Sequence, residues 1–201
     1  MKERIVAVDL SRLPLHGLGR ASVTRWGTMA FMLIEGTGFA LVIAVYLYLM
    51  SLASTWPINA PSPDLLPGTL VTLILVASLI PNYLIARWAE RQDLRKVRIG
   101  IVIMSLLGIA PLIARAFEFP ALRVSWDTNA YGSVVWTLLG LHTTHIITDL
   151  VDTLVLAALM LTRHGQNPRR FCDVQDNAMY WNFVVATWLP IYACIYWVPR
   201  L

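Results

Sequence analysis

Long apolar runs alternate with short polar segments along this chain. The first run extends from about Trp26 to Leu52, enough to cross a hydrocarbon core of roughly 30 Å at about 1.5 Å rise per residue. It stops at Trp56-Pro57, followed by Pro61, Pro63, Asp64 and Pro67, where no helix can continue. Further runs cover residues 66–88, 97–119, 131–161 and 178–198. Pro81 predicts a kink near the end of the second run, the third contains Pro111, and the fourth is long enough to tilt or to extend past the bilayer. Between them lie a charged hairpin, Arg87 to Arg98, and a polar loop from His164 to Asp176. The pattern predicts an all-α membrane protein: residues 1–23 form a short N-terminal segment, and residues 24–201 a bundle of five transmembrane helices. Neither an internal repeat nor a low-complexity segment interrupts it.

Composition agrees. The chain is 57% apolar and 14% charged, against about 25% charged residues in a soluble domain. Many of its eight Trp and seven Tyr stand near the ends of apolar runs, where amphipathic rings suit the headgroup layer. A cleavable signal peptide is not expected, since the first apolar stretch begins deep in the chain and is too long for one. Cys172, in a basic loop, and Cys194, in the last run, suggest neither a disulfide nor a thiolate metal site.

The net charge of +4 matters less than its placement. Lys2, Arg4, Arg12, Arg20 and Arg25 precede or open the first span; Arg87, Arg91, Arg95, Lys96 and Arg98 fill the second loop; Arg163, Arg169 and Arg170 fill the fourth. Only Arg123 and Arg200 lie on the opposite side, thirteen against two. Positive residues stay cytoplasmic, so the N-terminus is expected inside and the C-terminus outside, as an odd number of spans requires.

Ionisable residues inside spans are costly and call for a reason. Glu35 sits near the middle of span one beside Gly36, Ala40 and Ala44, a small-residue stripe on which another helix could pack closely. It reads either as a proton-accepting carboxylate or as a neutral acid hydrogen-bonded to a neighbouring helix. His142, His145, Asp149 and Asp152 fall within an arc of roughly 80° on span four. A polar seam between helices, with His145 and Asp149 paired at i, i+4, is the preferred reading. A proton path along the seam is a second, and a metal or haem site a third, though such centres draw ligands from several helices. Arg115 and Glu118, at i, i+3 near the end of span three, read as an ion pair, worth little if exposed. Gly-rich phosphate loops, HExxH, G-x-S-x-G and CxxC are all missing from the sequence.

The residues taken in order resemble subunit III of the haem–copper oxidases, the family of cytochrome c oxidase and related bacterial quinol oxidases. The resemblance runs from Trp26-Gly27 and Glu35-x-x-x-Phe39, through Trp56-Pro57 and Glu118-Phe119, to Gly140-Leu141-His142-Thr143-Thr144-His145. It ends with Tyr180-Trp181-Asn182-Phe183-Val184, Trp188 and Tyr196-Trp197. Asn182 stands where the family usually has His, Val185 where it has Asp, and Asp149 and Asp152 where it has small or apolar residues. The polar contact that fixes the last helix must therefore be rebuilt here. The length is similar to a short bacterial form of the family.

The resemblance implies an accessory subunit of a terminal oxidase in the bacterial plasma membrane. It would hold no catalytic, cofactor or metal residue of its own, with haem and copper in partner subunits. It would pack against catalytic subunit I, bind phospholipid, and assist proton uptake, with Glu35 as the family's membrane carboxylate and His142 and His145 as structural residues. The alternatives are a redox protein holding its own haem or metal through His142, His145 and Asp149, an accessory subunit of nitric oxide reductase, and a proton-coupled transporter. A transporter built for alternating access would need more than 201 residues without a repeat.

Overall fold

The computed structural model describes residues 23–201; the expected N-terminal segment, with Lys2, Arg4, Arg12 and Arg20, lies outside the described residues. Five α-helices follow one another: α1 (Val23–Leu52), α2 (Leu65–Glu90), α3 (Leu94–Ala121), α4 (Ala130–Leu161) and α5 (Pro168–Tyr192). All five are long and apolar enough to cross a membrane. The last span continues beyond α5 through a π-helical turn, Ala193–Trp197, and a 3-10 turn, Val198–Arg200.

Side-chain caps start three of the helices. Asp93 accepts from the Lys96 amide at 3.2 Å, Asn129 from Gly132 at 2.8 Å and Asn167 from Arg169 at 3.1 Å, each satisfying an amide that has no helical partner. Asn167 also sets Pro168 at the first helical position, where its missing N–H costs nothing. This cap explains a departure from the hydropathy pattern. The stretch expected as a loop up to Asp176 is already the first turns of α5, and buries Phe171 and Val174. Cys172 is therefore an exposed helical residue and not a loop residue. Both α2 and α3 run through their internal prolines, Pro81 and Pro111, as continuous helices.

Helices α2, α3, α4 and α5 close a ring, each packed on its sequence neighbour and α2 on α5. Helix α1 lies outside this ring, in the groove between α4 and α5. Gly100 lets α3 approach α2: a Cβ there would stand 3.0 Å from Ile85 Cγ1. Arg98 ties the start of α3 to the end of α4 by donating to the carbonyls of Met160 and Thr162, at 2.7 and 3.1 Å, a cation placed at the negative end of a helix.

The outward faces are apolar. Leu33, Leu66, Leu73, Leu106 and Phe117 are among many large hydrophobic side chains left exposed, as a lipid-solvated bundle requires and a water-solvated one would not tolerate. The small-residue stripe of α1 packs within this chain only at its first member. Gly36 lies near the Phe183 ring, but Ala40 and Ala44 are exposed. The buried edge of α1 is instead Phe39 and Tyr46, one and three turns beyond Glu35. Size decided this: two large rings bury far more area than two alanines.

Candidate functional site

The polar residues of α4 do not form one seam. They divide between two sites, and Phe39 separates them, its ring 4.7 Å from that of His145 and 6.2 Å from that of His142.

The first site joins α1, α4 and α5. Glu35 Oε1 lies 3.0 Å from His145 Nε2, close but off the hydrogen-bond direction, while Oε2 accepts from the Tyr180 hydroxyl at 2.8 Å. His145 Nδ1 stands 2.7 Å from the Leu141 carbonyl. A carbonyl can only accept, so Nδ1 carries the hydrogen. The expected pairing of His145 with Asp149 is not made: the imidazole turns to α1, and Asp149, 2% exposed, keeps Oδ1 without a partner. Spacing along one helix allowed the i, i+4 pair, but the carboxylate of the neighbouring helix met the ring first. Asp152, one turn on, is exposed and accepts from the Asn177 amide at 3.1 Å.

The second site fills the centre of the ring. Arg115 and Glu118 of α3 form the expected ion pair at 2.5 Å, at 2% and 0% side-chain exposure. Tyr196 donates to the other Glu118 oxygen at 2.6 Å. The Arg115 guanidinium also reaches His142 Nδ1 at 2.8 Å and lies 4.1 Å from the Trp188 ring centroid. Guanidinium only donates, so Nδ1 is the acceptor, and Nε2–H donates to the Val184 carbonyl at 2.9 Å. Trp188 in turn donates to Thr72 of α2 at 2.8 Å. Every helix of the ring thus contributes to one buried network, in which the cation is desolvated but paired, hydrogen-bonded and stacked.

Two further contacts hold α1 and α5. The hydroxyl of Tyr46 donates to the Cys194 carbonyl at 2.6 Å, an acceptor within the π-helical turn. Asn82, buried on α2, donates to the Ala178 carbonyl at 2.8 Å and to Asn182 Oδ1 at 2.9 Å. That amide pair is how the last helix is fixed with Asn at 182, while Val185 joins the apolar core.

This arrangement does not favour a bound haem or metal. Both ring nitrogens of His142 are engaged, and His145 faces a carbonyl and a carboxyl. Among the described residues, no three His, Cys, Asp or Glu side chains converge as ligands. Tyr180, Tyr196, Trp188 and Asn82 escaped a search for ionisable groups because they are neutral at ordinary pH. Their signal is polar atoms at intramembrane positions, and three of them belong to the run of residues that carried the family resemblance.

Comparisons with known proteins point the same way. The family model described as cytochrome c oxidase subunit III matches residues 15–199. The chain is 29% identical over 193 residues to the probable cytochrome c oxidase subunit 3 of Mycobacterium tuberculosis strain H37Rv, covering 92% of each. It is 24% identical over 176 residues to cytochrome c oxidase subunit 3 of Thermostichus vulcanus, covering 87% of each. It is 28% identical over 205 residues to the subunit 3 of Drosophila melanogaster, covering 94% of this chain and 76% of the fly protein.

Proposed function

The chain belongs to the cytochrome c oxidase subunit III family, and from that membership we propose that it packs against the large catalytic subunit of its oxidase and keeps it in an active form. It is an accessory subunit of a haem–copper oxidase in a complex with other oxidase subunits. Subunits of this family are generally without redox centres; haem and copper then reside in the partners, and this chain contributes packing, lipid contact and polar groups. Its place is the bacterial plasma membrane, with the basic loops at the cytoplasmic face and the C-terminus outside.

The single observation that carries this reading is a family match extending over nearly the whole chain. The Glu35–His145–Tyr180 cluster supports a proton-related role, because a carboxyl lying within reach of both an imidazole and a phenol is placed to exchange a proton with either. Mild solubilisation from the native membrane tests the assembly: a haem-containing large subunit should copurify with this chain, and a preparation without one would sink the reading. Removal of this chain from the complex should leave initial oxygen consumption largely intact and shorten the time over which turnover is sustained.

A further inference from the structure

Polar groups enter the bundle from both ends and stop one helical turn apart. From the end where α1 and α5 begin, a cleft of about 770 Å³ carries Asp173, Asp152 and Asp149 on its walls and leads to Glu35 and His145. Asp152 is exposed there, so this route starts at the surface. At the opposite end, the exposed Arg200 donates to the Tyr196 carbonyl. From the Tyr196 hydroxyl, hydrogen bonds run inward through Glu118 and Arg115 to His142. The innermost members, His145 and His142, are three residues apart on α4, a rise of about 4.5 Å.

Joined, the two sets would line most of the way across the hydrocarbon with carboxyls, phenols and imidazoles, the groups from which proton relays are built. Phe39 of α1 keeps them apart. It is 3% exposed, and its ring lies 4.7 Å from that of His145 and 6.2 Å from that of His142. Its ring has neither a donor nor an acceptor for a proton. On His142 the Trp188 ring also packs, at 4.9 Å, with its N–H spent on Thr72. Both nitrogens of His142 are taken by Arg115 and Val184, while those of His145 face Leu141 and Glu35. Neither imidazole turns a nitrogen to the other. Core packing alone asks only for bulk at position 39; its place between two imidazoles of separate networks asks for a side chain that keeps water out.

We propose that Phe39 is a proton insulator, which stops the acidic cleft and the buried Arg115 network from joining into a leak across the membrane. A small side chain at 39 would leave a space bordered by two imidazoles, and a cavity with polar walls takes up water. That water would connect the two sets. This function goes beyond the accessory role, needs no partner, and holds for either orientation of the chain.

The test uses the whole complex in liposomes without electron donor, so that only passive flux is read. A potassium gradient with valinomycin drives protons, and an enclosed pH dye reports them. Phe39→Ala should raise the proton flux about tenfold, a barrier lower by about 1.4 kcal/mol. Phe39→His, which keeps a ring and offers nitrogens to both neighbours, should leak as well, and serves if the alanine variant does not assemble. Phe39→Leu, apolar and bulky, should stay as tight as wild type. Without valinomycin, potassium flux should be unchanged in all three. Tight liposomes from an assembled Phe39→Ala or Phe39→His complex overturn the proposal. So does a leak that passes potassium equally, which is a packing defect, or failure of both variants to assemble, which makes Phe39 a packing residue only. Oxygen consumption with uncoupler, measured on the same samples, reports separately on assembly with the oxidase.

Discussion

Glu35 of α1 and His145 of α4 meet across the helix contact, with Oε1 and Nε2 3.0 Å apart. His145 Nδ1 is committed as a donor to the Leu141 carbonyl, so Nε2 is the ring nitrogen turned to the carboxyl. Tyr180 adds a second donor to the same carboxyl and links it to α5.

Replacing Glu35 separates structure from proton handling. Gln keeps the acceptor for Tyr180 and supplies N–H for His145 Nε2, so Glu35→Gln should assemble with wild-type thermal stability. Glu35→Ala leaves two partners unsatisfied and should lose about 1–3 kcal/mol for each, visible as a lower melting temperature of the detergent-solubilised complex. If the cluster exchanges protons during turnover, Glu35→Gln will show shortened sustained oxygen consumption despite normal assembly. Unchanged turnover in that variant would restrict Glu35 to a structural role.

The Arg115–Glu118 pair predicts strong non-additivity. Arg115→Met strands a buried carboxylate and Glu118→Leu a buried guanidinium, each at a cost of about 3–5 kcal/mol. The double variant removes both charges and should recover much of that loss. A double-mutant cycle from unfolding in detergent reads the coupling directly, and additive losses would mean that the pair is not desolvated as its exposure indicates.

Two glycines that look alike in sequence should answer oppositely to a methyl group. At Gly100 an added Cβ would stand 3.0 Å from Ile85 Cγ1, so that side chain must give way, and Gly100→Ala should destabilise by about 1 kcal/mol through overpacking of α2 on α3. Gly140, the first residue of the Gly-x-His-x-x-His run, has open space where a Cβ would project. Gly140→Ala should therefore be neutral or slightly stabilising through helix propensity alone. Loss of stability at position 140 in the whole complex, absent in the isolated chain, would place a partner against that face of α4.

At the water-exposed start of α3, Lys96 holds the Asp93 carboxyl below the usual carboxylate range through its side-chain and amide hydrogen bonds. A carboxyl whose folded value is depressed contributes stability above its unfolded value of about 3.9, and loses it as pH falls through the lower folded value. Asp93→Asn should flatten this acid limb of the stability curve by lowering stability at neutral pH toward the value at acid pH. Identical acid limbs in the two proteins would show that the cap carries no net charge effect.

From the chain alone one could read that five helices cross the bilayer, because apolar run length must match hydrocarbon thickness and little else competes with that demand. The crowding of His142, His145, Asp149 and Asp152 onto one face of α4 was equally legible, since helical periodicity sets angles about a helix's own axis. What lay across from each residue was not. Periodicity says nothing of which neighbour occupies a given angle, so the split of His142 to Arg115 and His145 to Glu35 arose only when α3 and α1 took their places. The same holds for the amide pair of Asn82 and Asn182, 100 residues apart along the chain, and for Phe39 and Tyr46 as the buried edge of α1. Local sequence settles what a helix offers; packing of the whole bundle decides which offers are taken up.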